Sequence, residues 1–436
     1  MMITNRIGDF VVLSLFAFAA GSNVGITLFS TNAGYIPEIV IIPLVLILTV
    51  SNGSLGRPLK YVVNNSWIYV VAIMLFVLTL IGIVNTGVVG PCVADARNIM
   101  YAVLFYAYLN GFCKYDREVC YKALVVFLVL CCIFDLMDYM LYNEARVGLD
   151  DAAADVNRNR FNIVNGVALL VLSIRLKRSV LAVVALVIIG CMAILGNFRQ
   201  YYIVAAIALM MWLVSHVTLR RGAGMGLKFA AVALFIVLIW AGFGARTIIQ
   251  DYFASNNSAN VNIIRRTTNL VDNITSLDGI RSVEPERVNS IVVLFEKPER
   301  FMFPHGLGWR PMIGRIEGDF SDYSLLSSHD SAFFFIAYHA GLPSLLIVIS
   351  TSIFIIGRSL WLCVDGLPVA VKWLAILLLA FLLFTEAGYF TVLPRALSLA
   401  SFLILCFRQE ETLRNPKVAV HIRQKNVKKY KGNDRW

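Results

Sequence analysis

The chain has 436 residues, of which 59% are hydrophobic and 15% charged, with a formal net charge of +11. Soluble domains carry about 25% charged residues, so a soluble globular fold is excluded. The basic excess would suit nucleic acid, but much of it lies in the tail 408–436, where anionic lipid headgroups are the expected partner.

Apolar runs recur near the ~20 residues that cross about 30 Å of hydrocarbon as a helix. Period-two alternation is absent, so a barrel is not expected. Spans are expected near residues 10–30, 34–51, 66–85, 97–113, 120–141, 161–174, 179–195, 201–218, 228–247, 331–356, 371–387 and 390–407. The fold class is therefore an all-α polytopic membrane protein with about twelve transmembrane helices. Ala17-Phe18-Ala19 resembles a signal cleavage site, but the apolar run continues past it, so the first span is read as retained.

The chain divides into four parts. Residues 1–247 carry spans one to nine. Residues 248–330 form a polar island, and 331–407 carry spans ten to twelve. The basic tail follows.

Charge sets the expected orientation. With the N-terminus inside, the inner loops hold Arg57, Lys60, Lys114, Arg117, Lys122, Arg175, Lys177, Arg178, Arg220, Arg221, Lys228, Arg358 and Lys372. This obeys the positive-inside rule. Both termini are then cytoplasmic, and the island faces outward. Most cysteines fall in spans or at inner edges, with Cys92 in an outward loop, so no disulfide framework is expected.

The outward face breaks the charge rule. Arg97 stands at the outer end of span four, Arg199 follows span seven, and Arg395 follows Pro394. The island adds Arg265, Arg266, Arg281, Arg287 and others. A boundary arginine often only snorkels to lipid phosphate. Its planar fork also clamps phosphate, and Arg199 and Arg395 sit at tight breaks where an idle charge is expensive.

Three histidines lie near this face. His305 occupies the glycine-rich Pro304-His305-Gly306-Leu307-Gly308. His329 sits where island meets membrane, a sensible place for a general base. A helix cap is its plainer role. His339 follows ten residues later, roughly 15 Å deeper on a continuous helix, and is expected to pack inside the bundle. His216 and His421 fall on the inner side. Glu317, Asp319 and Asp322 make a loose acidic group better read as solvated loop than as a metal site. No P-loop, HExxH or nucleophile elbow occurs.

Four local patterns carry a resemblance. Gly279-Ile280-Arg281, Val288 to Phe295 and Pro298 form one. His305-Gly306-Leu307-Gly308 is the second. His329-Asp330 with Gly341-Leu342-Pro343 is the third, and Asn197-Phe198-Arg199 the fourth. Together with the topology they resemble the bacterial O-antigen polymerase and O-antigen ligase superfamily. Two departures stand out: Ile280 separates glycine from arginine, and Asp330 replaces the usual asparagine.

The resemblance implies a GT-C-like membrane glycosyltransferase of the inner membrane, its long periplasmic loop between helices nine and ten. It implies an undecaprenyl-diphosphate-linked glycan donor, with no cofactor and no metal. His329 would take the acceptor proton, with Asp330 beside it. Arg199 and Arg281 or Arg287 would hold the diphosphate, Arg395 completing the clamp, with Arg265 and Arg266 as further candidates. His305 and His339 are secondary candidates. Implied partners are the carrier-linked oligosaccharide, the bilayer, and a chain-length regulator or lipid A-core, without nucleic acid. A flippase or a nonenzymatic assembly factor is the alternative class. Asp135, Asp138 and Glu386 are the charges within spans that would favour transport.

Overall fold

A computed structural model describes residues 57–115, 117–146, 162–196, 199–219, 294–308, 311–312, 322–323, 331–362, 367–385 and 393–407. Expected spans one, two and nine lie outside the described residues. So do Arg265, Arg266, Arg281, Arg287, His329, Asp330 and Glu386.

The described chain is almost wholly helical. Before the island come α1 (Arg57–Val63), α2 (Ser66–Thr86), α3 (Val89–Tyr115) and α4 (Arg117–Arg146). Then follow α5 (Ile163–Leu176), α6 (Ser179–Gly196) and α7 (Arg199–Leu219). The island shows a short 3-10 turn, Pro298–Phe301, and one antiparallel pair, β1 (Pro311–Met312) with β2 (Asp322–Tyr323). After it come α8 (Ala332–Ala340), α9 (Leu342–Leu362), α10 (Val369–Thr385) and α11 (Leu393–Phe407).

Among the described residues, three helices are long and apolar enough to cross a membrane: Ser66–Thr86, Arg117–Met137 and Leu342–Leu360. α2 exposes Tyr69, Val70, Ile73, Phe76, Val77 and Leu80. An apolar stripe of this size is stable against hydrocarbon and costly against water.

The short sixth span is the centre of the bundle. Every residue of α5 from Ile163 to Ile174 is buried. A helix sheathed by α4, α6 and α11 meets no lipid, so it can be short and can carry Asn165 and Ser173. Asn162 Nδ2 donates to Ser398 Oγ at 2.6 Å. Ser398 Oγ donates to Asn165 Oδ1 at 2.5 Å, and Asn165 Nδ2 to Asp135 Oδ2 at 3.1 Å. This chain of bonds ties α4, α5 and α11 together.

Two expected spans differ from what forms. Expected span ten, 331–356, is not one helix: the chain breaks at Gly341 (φ 87°, ψ 154°) into α8 and α9. The 21 residues of α9 cover ~31 Å by themselves. His339 lies in the last turn of α8, just before this break. Span four also begins earlier than expected. α3 starts at Val89, so Cys92 is a buried helical residue rather than part of a loop, and Arg97 is inside the helix rather than at its end.

Lys114, Arg175 and Lys372, among the described residues, mark one end of the bundle as basic. Arg175 Nε donates to Leu405 O at 2.6 Å, and its Nη1 to Tyr121 Oη at 3.1 Å. Lys114 lies 5.3 Å over the Tyr61 ring. Buried Lys372 donates to Ser359 O at 2.8 Å. Leu405 and Ser359 belong to the last turns of α11 and α9, where carbonyls lack helical partners and cations are favoured.

Candidate functional site

The described part of the site is a turn wedged into the other end of the bundle. Its cause is the break at Gly341. A helix leaves its last carbonyls without intrahelical partners. For α8 the turn supplies the donors. His305 N–H donates to Tyr338 O at 3.1 Å, and Gly306 N–H to His339 O at 3.2 Å. His305 Nδ1 is 3.2 Å from the same Tyr338 carbonyl. His339 Nδ1 is 2.6 Å from Gly306 O. Carbonyls only accept, so both imidazoles carry their hydrogen on Nδ1.

The opposite side of the turn grips α2 and α3. Leu307 N–H donates to Leu78 O at 3.0 Å, and Asn85 Nδ2 to His305 O at 2.9 Å. Gly308 N–H donates to the buried Asp95 Oδ2 at 3.2 Å. Gly306 has φ +84° and touches the backbone of Gly82, an approach that no side chain on either residue would permit. Leu307 fills an apolar socket with Leu75, Leu78 and Phe335. Phe301, fully buried, anchors the preceding segment on Phe334 and Tyr338 at ring distances of 5.5 and 6.3 Å.

The two described histidines of this face differ in exposure. His339 is buried beside Phe335, with ring centroids 4.2 Å apart. It is a structural pin, as its expected interior packing implies. His305 is half-buried and stacks flat on Tyr338, at 4.2 Å and 11°. Burial pushes the His305 imidazole below its ordinary pKa, and the bond to Tyr338 O only partly opposes this. The ring is neutral at neutral pH. Nδ1 is committed, and Nε2 has no partner among the described residues.

Helix direction places the expected arginines. α11 ends beside Arg175 at the basic end, so Arg395, in its first turn, lies at the opposite end with the turn. Arg395 is half-buried, three residues before Ser398. α6 begins at Ser179, directly after the basic pair Lys177 and Arg178. It therefore runs away from the basic end, and Arg199, which opens α7, follows it at that same opposite end.

Asn85, Asp95 and Tyr338 are site residues that sequence reading did not single out. Asp95 carried a signal: it is a carboxylate in Cys92-Val93-Ala94-Asp95-Ala96, among small and apolar residues. Asn85-Thr86-Gly87 reads as an ordinary helix stop, and Tyr338 as part of an apolar run.

An apolar cavity of about 370 Å³ runs along α3 and α11, lined by Trp67, Tyr106, Ile356, Leu399 and Leu403 among others. No protein-family model matches the chain, and neither curated proteins nor solved structures give a match.

Proposed function

We propose that the chain is a membrane glycosyltransferase that polymerises surface polysaccharide. It moves a glycan from undecaprenyl diphosphate to a carrier-linked repeat unit at the periplasmic face. The observation that carries this reading is the docked His305–Gly308 turn. It fixes the island to the mouth of the bundle, at the end where Arg199 and Arg395 stand in the first turns of their helices. A lipid-anchored donor presents its diphosphate at that level. The apolar cavity beside α3 and α11 has the chemistry a prenyl tail needs.

In this reading about twelve helices span the inner membrane in a GT-C-like arrangement. The acceptor hydroxyl attacks the anomeric carbon from the face opposite the diphosphate, so configuration inverts. His329 takes the hydroxyl proton. Arg199 and Arg281 or Arg287, with Arg395, steady the charge that builds on the leaving oxygen. The chemistry uses no metal and no nucleotide sugar.

The second reading is ligation to lipid A-core, which shares the donor and differs in acceptor. Transport is less favoured, because Asp135 is bonded to Asn165 within a structural chain.

Deleting the gene tests the reading. Single repeats left on the carrier, with no long chains, are expected. Long chains stranded on the carrier would indicate a ligase, and repeats trapped on the cytoplasmic leaflet a flippase. In the purified protein, His329→Ala and Arg199→Ala are each expected to insert normally and lose transfer by about 100-fold or more. Wild-type turnover in either variant removes that residue from the mechanism.

A further inference from the structure

The glycosyl-transfer reading leaves the acceptor sugar without a described partner, and His305 has the geometry to be one. We propose that His305 Nε2 accepts a hydrogen bond from a hydroxyl of the acceptor glycan, with exposed Phe303, two residues earlier in the turn, offering an apolar surface to the sugar. The inference rests on that reading and names its acceptor subsite.

Every other polar group of His305 is already engaged. Its N–H and Nδ1–H both meet Tyr338 O, and its carbonyl accepts from Asn85. Stacking on Tyr338 fixes the ring plane. The imidazole therefore presents one lone pair, in one direction, at one tautomer. That is a preorganised acceptor for an O–H donor, and a sugar is rich in O–H donors. Phe303, two residues earlier, is 80% exposed, and neighbouring Met302 is 49% exposed. Ligand sites combine apolar side chains with a few fixed polar groups, and this turn carries both. Buried His339 lacks this access, although it shares the same tautomer. His305 touches the acceptor and orients it; proton removal is left to His329.

The test uses the full-length protein in lipid nanodiscs with an undecaprenyl-diphosphate-linked donor. Acceptors are a carrier-linked repeat in one arm and lipid A-core in the other. His305→Asn keeps a donor where Nδ1 was and removes Nε2. Its acceptor KM is expected to rise about tenfold, the scale of one lost hydrogen bond, with kcat within about twofold and donor KM unchanged. Hydrogen-exchange protection of residues 331–340 is expected to match wild type. An unchanged acceptor KM overturns the proposal. So does a fall in kcat at constant KM.

A second measurement on the wild type does not depend on turnover. Diethylpyrocarbonate modifies unprotonated imidazole, and labelling at His305 is expected to slow when the acceptor glycan is present. Labelling indifferent to glycan overturns the subsite, even if His305→Asn loses its fold. Wild-type protein that transfers nothing in either arm defeats the glycosyl-transfer reading instead. In that case glycan protection of His305 still upholds the sugar contact.

Discussion

Gly306→Ala is expected to release the turn from the bundle. Two costs coincide at this position. An alanine at φ +84° adopts the left-handed region at about 1–2 kcal/mol. Its Cβ would also overlap the backbone of Gly82 and approach Ile81 C at 2.7 Å, and a helix backbone cannot move aside as a flexible side chain can. The turn must retreat, and the bonds to Leu78 O, Tyr338 O and His339 O go with it. The combined destabilisation is expected to be on the order of 3 kcal/mol or more. Hydrogen exchange would show it as lost protection in α8. Gly357→Ala is the control: nothing lies within 4 Å of an added Cβ there, and a helical glycine gains from the exchange. Equal behaviour of the two variants would remove the turn from the account of stability.

Asn165→Ala carries the second large effect. It removes the acceptor of Ser398 Oγ–H and the donor to Asp135 in one step. These groups lie in a bundle without ready access to water. A buried group left unpaired costs about 1–3 kcal/mol. Interhelical bonds in membranes measure nearer 1 kcal/mol on average. A loss of about 2 kcal/mol is therefore expected, read as a lower unfolding temperature in detergent. In a Ser398→Ala background the same substitution should cost less, because one of its two bonds is already gone. Strictly additive costs would mean that the bonds do not act as a chain.

Much of the fold is legible in the sequence because lipid imposes a simple rule. A run of apolar residues near membrane length must be a helix, since no water is present to satisfy other backbone. α2, α4, α6 and α7 follow that rule within a few residues of their expected ends. The break at Gly341 was hidden by the same rule, because the apolar run continues across it. Its local signs were present: glycine followed by Leu342-Pro343, a helix stop and a helix start in three residues. The start of α3 was hidden for the opposite reason. Asp95 and Arg97 look like the polar edge of a span. Asp95 is instead covered by Gly308, which lies 213 residues further on.

The candidate site was legible in its histidines and glycines, and less so in its supports. A Gly-x-Gly turn signals close backbone approach but does not say to what. Gly82, the surface it needs, lies in an unbroken apolar run and has no distinguishing neighbours. Which lone pair of His305 is presented depends on a carbonyl of α8, which no local pattern reveals.

The bond from Asn85 to His305 joins residues 220 positions apart. That separation orders events in time. α2 leaves the ribosome long before the turn that packs on it, and α8 is made later still. The socket at Gly82 must therefore wait, open, through the synthesis of α3 to α7 and of the island. α8 cannot have its final carbonyls satisfied until the turn has docked. Closure of the bundle mouth is then a late step of biogenesis, completed only when the turn docks and finishes a helix.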